Sequence, residues 1–217
     1  MNIKDFNKNT TILMSGDSVT DCNRARPYGT YRYGLGTGYV LRMHEMLQVL
    51  APEKEIKLVN AGISGETSRN VKNRWINDLE QVKPDYATLM IGVNDIWRKY
   101  DCYLDKGEAV DAAEYEENLR FIIEESLKTL KGFMLISPFY IELNKKDAFM
   151  NDIITYTEIC KNLSAEYKID FCDMQAEMNR LQKHLYTSAL SPDRVHPNGV
   201  THFAIARKIL KDMNLKF

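Results

Sequence analysis

The 217-residue chain has no long apolar run and no excess of either charge. No segment approaches the roughly 20 apolar residues of a membrane-spanning helix, and the first eight residues are polar and charged rather than the apolar core of a signal peptide. Lysine and arginine number 29 against 30 aspartate and glutamate, which removes the usual electrostatic attraction to nucleic acids and membrane surfaces. We therefore expect a cytoplasmic protein that binds a small, roughly neutral molecule.

Cysteine is scarce, and its spacing fits no known framework. Cys22, Cys102, Cys160 and Cys172 are far apart and form no C-x-x-C pair, so a disulfide framework or a zinc knuckle is not expected and reduced, mostly buried thiols are. Repeats, low-complexity tracts and linkers are also missing. With 44% hydrophobic residues, this length suits one domain over residues 1–217.

Short apolar runs alternate with longer amphipathic segments along the chain. Helices are predicted between the runs, one of them beginning at the capping box Asp111-x-x-Glu114 and ending before Gly132. The charged, aperiodic segment 98–110 is predicted to be an exposed loop or lid. The alternation indicates an α/β fold, a three-layer α/β/α sandwich around a five-stranded parallel sheet with right-handed crossovers. The five predicted strands are 11–14, 56–60, 86–91, 133–138 and 169–173.

A serine follows the first predicted strand directly, in Gly16-Asp17-Ser18. In an open parallel sheet the ligand crevice lies beyond the carboxyl ends of the strands, so Ser18 is expected at the rim of the site. Gly16 permits the tight exit from the strand. A serine that merely caps the following helix or turn explains this stretch equally well.

An aspartate stands three residues before a histidine ahead of the last predicted helix, in Asp193-x-x-His196. On a tight turn this spacing aims the carboxylate at Nδ1 and leaves Nε2 free for a hydroxyl, as in the orienter and base of a serine triad. A capping aspartate beside an ordinary histidine is the alternative. The other histidines, His44, His184 and His202, lie in predicted helices and are expected to be surface or packing residues.

Acyl transfer also needs hydrogen-bond donors for the oxyanion that forms on the attacked carbonyl. Asn94 and Gly65 each follow a predicted strand end. Asn94 offers a side-chain NH₂, and Gly65 offers a backbone N–H that an oxygen can approach without a Cβ in the way. Taken singly, each residue could equally be a turn residue.

Together these stretches resemble the GDSL family of serine esterases, also called SGNH hydrolases, over about residues 11 to 212. The resemblance implies that Ser18 is the nucleophile, His196 the general base and acid, and Asp193 its orienter. It further implies an oxyanion hole formed by Ser18 N–H, Gly65 N–H and Asn94, a strand order of 2-1-3-4-5, and no cofactor or metal. The family blocks occur here, in family order, as Gly16-Asp17-Ser18, Asn60-x-Gly62-x-Ser64-Gly65-x-Thr67, Gly92-x-Asn94-Asp95 and Asp193-x-x-His196-Pro197.

The longer stretches 16–22, 35–40 and 90–98 are similar to a bacterial intracellular branch that includes acetylxylan and acetyl-xylooligosaccharide esterases. The resemblance implies an acetylated sugar as substrate, and members of this branch can assemble into homo-oligomers. Pro192 departs from the branch, where a bulky aromatic residue is expected before the aspartate. Aromatic residues near the strand ends can stack on sugar faces. The expected substrate-binding residues are Asp17, Trp97 and Tyr33, with Tyr28 and Tyr31 as further stacking candidates.

Three other functions are compatible with parts of the sequence. A short-chain acyl thioesterase or a lysophospholipase would use the same serine chemistry. A metal-dependent phosphohydrolase could use Asp17, Asp95, Asp193 and His196 as ligands. A non-catalytic carbohydrate-binding domain would bind sugars without hydrolysing esters. The absence of a G-x-S-x-G elbow argues against the ordinary α/β-hydrolase fold.

Overall fold

The computed structural model describes residues 1–101, 104 and 106–217. Within that part of the chain, one sheet carries six strands in the order β2-β3-β1-β4-β5-β6. Five of them are parallel and follow the predicted order 2-1-3-4-5, which confirms the three-layer α/β/α fold. The strands are β1 (Thr11–Gly16), β2 (Gly29–Thr30), β3 (Lys57–Asn60), β4 (Tyr86–Met90), β5 (Gly132–Ile136) and β6 (Asp170–Cys172).

The predicted count of five strands is wrong by one short edge strand. β2 has two residues and pairs antiparallel with the end of β3, Gly29 opposite Asn60 and Thr30 opposite Val59. An antiparallel β-bridge pairs Thr30 with Tyr33, so the chain reverses direction directly after β2. A strand of two residues is too short to show a period-2 pattern, so the glycine- and tyrosine-rich sequence gives no signal for it.

Helices cover both faces of the sheet. α2, α7 and α8 pack on one face, and α3, α4, α5 and α6 pack on the other. Along β1 the side chains alternate between these two cores, with Ile12 and Met14 facing one and Leu13 the other. The helices are α1 (Ser18–Asp21), α2 (Tyr39–Leu50), α3 (Ser68–Val82), α4 (Val93–Asp101), α5 (Ala112–Thr129), α6 (Ala148–Tyr167), α7 (Met174–Leu181) and α8 (Gly199–Asp212).

The predicted start of α5 at Asp111 is confirmed, but the capping box is only half formed because the Glu114 carboxylate pairs with Arg69, and two predicted boundaries are wrong. The Asp111 side chain accepts a hydrogen bond of 2.9 Å from the N–H of Glu114 at the start of α5. That helix ends at Thr129, and Gly132 is the first residue of β5 rather than the helix stop. The sequence also predicts a helix over about residues 175–185, but α7 ends at Leu181 and the chain turns over 182–185.

The segment predicted as a loop over 98–110 begins as helix. Arg98 to Asp101 form the last turn of α4, where Arg98 Nη1 lies 2.6 Å from the Asp101 carboxylate. Such a pair three residues apart stabilises a helix turn that has no apolar periodicity of its own. A short 3₁₀ turn covers Lys106–Glu108. Positions 102, 103 and 105 of this prediction lie outside the described residues. No helix in the described part of the chain is both long and apolar enough to cross a membrane.

Candidate active site

The turn after β1 holds Ser18 at the carboxyl edge of the sheet. A Cβ on Gly16 would lie 2.4 Å from the Met90 carbonyl oxygen, so only glycine fits this exit from the strand. Asp17 is buried and caps α1 by accepting a hydrogen bond of 3.0 Å from Val19 N–H. Ser18 is the first residue of that short helix and is half-buried. The turn therefore presents the hydroxyl on a backbone that is fixed on both sides.

The structure brings together the predicted serine, histidine and aspartate. Ser18 Oγ lies 3.0 Å from His196 Nε2, and His196 Nδ1 lies 2.6 Å from Asp193 Oδ2. In this geometry the carboxylate accepts the Nδ1 proton and holds the neutral ring with Nε2 unprotonated. Nε2 can then accept the serine proton as Oγ attacks a carbonyl.

A tight turn supports the Asp193 side of this relay. Asp193 Oδ1 accepts the backbone N–H groups of Val195 and His196 at 3.0 and 2.7 Å, and Arg194 between them has a left-handed φ of 73°. Burial alone would raise the pKa of Asp193, but hydrogen bonds from the His196 side chain and from these backbone groups lower it to about 2. The carboxylate is therefore ionised around neutral pH.

In the described part of the chain, each of the three predicted oxyanion donors has an N–H group without an acceptor. Within the described residues, no acceptor takes the backbone N–H of Ser18 or of Gly65. Gly65 is exposed with a φ of 85°, a conformation that a Cβ would strain. Asn94 is buried, and its Nδ2 donates 2.9 Å to the Glu66 carbonyl oxygen. One N–H of that amide is thereby fixed, and no acceptor among the described residues takes the second.

Asp21 joins the nucleophile turn to the Gly65 loop, a role that the sequence analysis missed. Its Oδ2 accepts the N–H and the hydroxyl of Ser64 at 2.9 and 3.0 Å, and Arg26 pairs with it at 2.7 Å. Burial raises the pKa of Asp21, but the hydrogen bonds from Arg26 and Ser64 outweigh burial and hold the pKa below its usual value. The two donor-bearing segments are thus fixed relative to each other.

Comparison with known proteins decides the family. Residues 15–202 match the model of the GDSL-like lipase/acylhydrolase family. The chain belongs to this family. It is 42% identical over 207 residues to the acetylxylan esterase of Geobacillus stearothermophilus, covering 95% of this chain and 94% of the relative.

Solved structures of related esterases superpose closely on this GDSL-like chain. The crystal structure of Axe2, the acetylxylan esterase from Geobacillus stearothermophilus, superposes with a TM-score of 0.95 at 41% identity and covers 100% of this chain and 98% of its own. Structures of Axe2 catalytic mutants, with a serine, a histidine or an aspartate changed to alanine, superpose with TM-scores of 0.94. LAE5, an alpha/beta hydrolase enzyme from the metagenome of Lake Arreo, is 31% identical with a TM-score of 0.90 and covers 97% of both chains.

Two buried carboxyl groups lie behind the site of this GDSL-like hydrolase. Burial raises the pKa of Asp17 to about 7, and the nearby Asp95 adds to the increase. Burial also raises the pKa of Asp95 to about 6, against hydrogen bonds from the Ser68 side chain and N–H. Asp17 has no surface to offer a substrate, since it is 2% exposed and caps α1. Its geometry supports the Ser18 turn.

The predicted aromatic residues lie in different surroundings. The Trp97 ring stands beside His196, with 5.7 Å between the ring centroids. Tyr28 donates a hydrogen bond of 2.8 Å to Asp78, and Tyr31 packs against Lys57 and Arg32. Tyr33 is 79% exposed next to the edge strand β2. Of the predicted substrate-binding residues, Trp97 therefore has the direct contact with the Ser18 relay.

The remaining histidines and the cysteines of the described residues are packing or surface residues, as predicted. His202 is buried in α8 with its Nε2 3.4 Å from Cys22 Sγ, while His44 is partly buried in α2 and His184 is exposed. Burial lowers the pKa of His202 to about 4 and keeps it neutral. Three of the four cysteines are free thiols, namely Cys22, Cys160 and Cys172, and Cys102 lies outside the described residues.

The carboxylates proposed for the phosphohydrolase alternative do not converge. Asp17 accepts from Val19, Asp95 from Ser68, and Asp193 from His196, so each carboxylate is directed to a different protein donor. Within the described residues, no group of three or more His, Cys, Asp and Glu side chains could hold a metal ion. The geometry of these residues supports the serine relay better than a metal centre.

Proposed function

We propose that this carboxylic ester hydrolase removes acetyl groups from acetylated xylo-oligosaccharides through an acyl-enzyme on Ser18. The observation that carries the proposal is the hydrogen-bonded relay from Ser18 Oγ through His196 to Asp193, with distances of 3.0 and 2.6 Å. The relative that is 42% identical over 95% of this chain is an acetylxylan esterase, which supports an acetylated sugar as the substrate.

The first half-reaction forms the acyl-enzyme. Ser18 Oγ attacks the ester carbonyl carbon while its proton moves to His196 Nε2, and Asp193 stabilises the imidazolium. The carbonyl oxygen becomes an oxyanion that accepts hydrogen bonds from Ser18 N–H, Gly65 N–H and the Asn94 side chain. Collapse breaks the bond to the alcohol oxygen, which takes the proton from Nε2 and leaves as the sugar hydroxyl.

The second half-reaction reverses these roles with water. His196 Nε2 removes a proton from a water molecule as the water oxygen attacks the acyl carbon. The same three donors hold the second oxyanion. When the bond to Ser18 Oγ breaks, the serine takes the proton from Nε2 and acetic acid is released. Neither half-reaction requires a cofactor.

A substrate panel and one variant test the proposal. The purified protein is assayed on acetylated xylobiose, longer acyl esters and acyl thioesters, and we expect the highest kcat/KM on acetylated xylobiose. Ser18→Ala should lower kcat by at least about a thousandfold while the melting temperature is kept. Activity within severalfold of the unaltered protein would contradict the nucleophile, whereas a preference for thioesters or long acyl chains would contradict the substrate and favour the thioesterase or lysophospholipase alternative.

The proposal includes the cellular compartment of the enzyme. The three free thiols of the described residues are what a reducing compartment maintains, so we place the protein in the cytoplasm.

The region 1–217 acts as one catalytic domain, and the likeness to the acetylxylan esterase branch supports a homo-oligomer. Size-exclusion chromatography with light scattering measures that assembly directly, and a monomer would contradict it. The predicted Tyr33 contact with substrate is checked by assaying Tyr33→Ala in the same panel.

A further inference from the structure

A cavity lined by aromatic rings opens next to the relay, on its Asp193 side. Its volume is about 290 Å³. α4 contributes two rings to the lining, the segment after β5 contributes one, and the start of α6 contributes another, while the turn that carries Asp193 forms the wall nearest the relay. The side chains that matter here are Trp97, Tyr100, Tyr140, Phe149, Asp147 and Arg194.

Three of the rings form a continuous stack whose outer member is accessible. Tyr140 stacks on Phe149 at 4.5 Å and 26°, and Phe149 meets Tyr100 at 5.3 Å and 32°. Tyr140 and Phe149 are buried, whereas Tyr100 is 41% exposed. Trp97, one helical turn before Tyr100, is partly exposed. The ring surfaces that a ligand can cover are therefore those of Trp97 and Tyr100.

The reaction itself places the alcohol part of the ester on this side. His196 Nε2 must give its proton to the alcohol oxygen, so that oxygen comes within hydrogen-bond distance of Nε2. The Trp97 ring lies 5.7 Å from the His196 ring and also lines the cavity. An alcohol part that extends from His196 along Trp97 therefore enters the cavity.

Polar groups suited to hydroxyls complete the lining. Asp147 Oδ1 accepts the N–H of Met150, and in the described part of the chain no hydrogen-bond donor reaches its other carboxylate oxygen. Arg194 lies over the Tyr140 ring and forms one ion pair of 2.6 Å with Glu142, which leaves further guanidinium donors open. Flat apolar faces combined with a carboxylate and a guanidinium match a ring that has C–H faces and equatorial hydroxyls.

We propose that this cavity binds the sugar ring that carries the acetyl group, as a pyranose-binding subsite on the alcohol side of the relay. The inference rests on the proposed function. A volume of about 290 Å³ is at the lower limit for small-molecule sites and accommodates one sugar ring rather than an oligosaccharide. The subsite favours a neutral sugar over an acidic one, because its charged lining groups are the carboxylates of Asp147 and Asp193 and the single guanidinium of Arg194.

The test compares the effect of one variant on two acetate esters, one whose alcohol part is long enough to reach the cavity and one whose alcohol part is not. Acetate release is measured from acetylated xylobiose and from ethyl acetate, whose alcohol is too short to reach Tyr100. For Tyr100→Ala we expect kcat/KM to fall at least tenfold on acetylated xylobiose and no more than about threefold on ethyl acetate. Tyr100→Phe keeps the ring and should retain most of the kcat/KM on acetylated xylobiose. A purely structural defect at position 100 would instead lower kcat/KM on ethyl acetate as well.

Tyr167→Ala is the matched control. Tyr167 ends α6, and its hydroxyl donates 2.7 Å to Glu124 with Arg120 over its ring. Tyr100 is similar, since its hydroxyl donates 2.8 Å to Asp152 with Lys99 over its ring. Each variant removes a tyrosine with one hydroxyl hydrogen bond and one cation over its ring, but only Tyr100 lines the cavity. Tyr167→Ala should therefore leave kcat/KM on both esters unchanged.

The possible failures separate the subsite from the proposed function. Equal losses on both esters for Tyr100→Ala would overturn the subsite and leave the esterase in place. If the unaltered protein releases acetate from ethyl acetate but from no acetylated sugar, both the sugar substrate and the subsite are wrong. If it releases acetate from neither ester, the proposed function itself fails.

Discussion

The two sides of the relay are held in contrasting ways. On the nucleophile side, Asp17 and Asn94 are almost fully buried and the segments are joined by hydrogen bonds through Asp21. On the histidine side, the side chains of His196 and Asp193 are 44% and 42% exposed, and their geometry comes from one local turn. The side that must stabilise a developing charge is built from long-range contacts. The side that carries protons relies on residues three positions apart.

The largest effect on kcat is expected from a substitution at Asp193, on the exposed histidine side of the relay. In Asp193→Asn the side-chain oxygen still accepts the backbone N–H groups of Val195 and His196, so the turn should persist. The NH₂ group then faces His196 Nδ1 and favours the tautomer with the proton on Nε2, which cannot accept the Ser18 proton. We expect kcat to fall by about three to four orders of magnitude at an unchanged melting temperature.

Ser191→Ala is the control for that prediction. Ser191 Oγ donates 3.1 Å to Asp193 and sits 2.7 Å from the His196 carbonyl oxygen, but it does not touch the imidazole ring. Its removal loosens the turn without changing the tautomer, so the loss in kcat should be at least tenfold smaller than for Asp193→Asn. Comparable losses in the two variants would mean that the turn, not the tautomer, controls the rate.

The next largest effect is expected on the buried side, at Asn94. Asn94→Ala deletes the oxyanion donor and should lower kcat on the order of a hundredfold. It also deletes the hydrogen bond to the Glu66 carbonyl, so the free energy of unfolding should fall by about 1 kcal/mol. Asn94→Asp should have the lower kcat of the two, because its carboxylate repels the oxyanion. Kinetics and thermal melts of both variants give the two quantities, and an aspartate variant with near-normal kcat would refute the donor role.

A smaller effect is expected at Asp21, which positions the Gly65 loop without touching the substrate. Asp21→Asn removes the charge and one acceptor for Ser64, so the oxyanion donors should shift and kcat should fall roughly tenfold with KM nearly kept. Arg26→Met, which removes only the ion pair with Asp21, separates the two contributions. We expect it to change kcat by no more than about twofold, since Arg26 is largely exposed. Equal losses in both variants would assign the effect to the ion pair.

The smallest effect on rate, and a clear one on stability, is expected from Asp17. Its pKa of about 7 in the folded protein lies above the usual 3.8, so the native state binds this proton more tightly than the unfolded state. The resulting stability is complete below about pH 4 and is lost as the pH rises through about 7. Urea unfolding between pH 4 and 8 should show this decrease, superposed on a similar one from Asp95.

Asp17→Asn sharpens that measurement. Asparagine also caps helix N-termini, so α1 should persist, but it cannot ionise. The variant should lose less stability than the unaltered protein over the same pH range and should be the more stable of the two at pH 8. Parallel curves for both proteins would show that Asp17 does not titrate in this range.

Much of the fold followed from local patterns. The apolar runs of β1, β4 and β5 mark strands covered on both faces, and their order along the chain with helices between them predicts the parallel sheet. The juxtaposition of Ser18, Asn94 and His196 follows from the same rule, because each comes after a strand or in the loop before the last helix at one edge of the sheet.

Other features depend on contacts between distant segments and leave no local trace. Asp21 lies only three residues after Ser18, yet its hydrogen bond with Ser64 spans 43 residues and appears only once the loops are packed. The cavity beside Asp193 combines residues 97 and 100 with 140–149 and 193–195, none of which forms a motif. Tyr28 and Tyr31 looked like free aromatic residues, but their partners Asp78 and Lys57 come from other elements.

The two-residue strand β2 has a consequence for how this protein behaves in concentrated solution. An open sheet edge is a template on which another chain can add a strand, the first step towards fibres. β2 occupies the edge of β3 at Val59 and Asn60, and the chain turns away after Thr30, so it offers almost no edge of its own. The uncovered end of β3 begins with Lys57, whose charge disfavours stacking of a second copy. A strand too short to add much stability to the sheet thus hinders the addition of a further strand at the β3 edge.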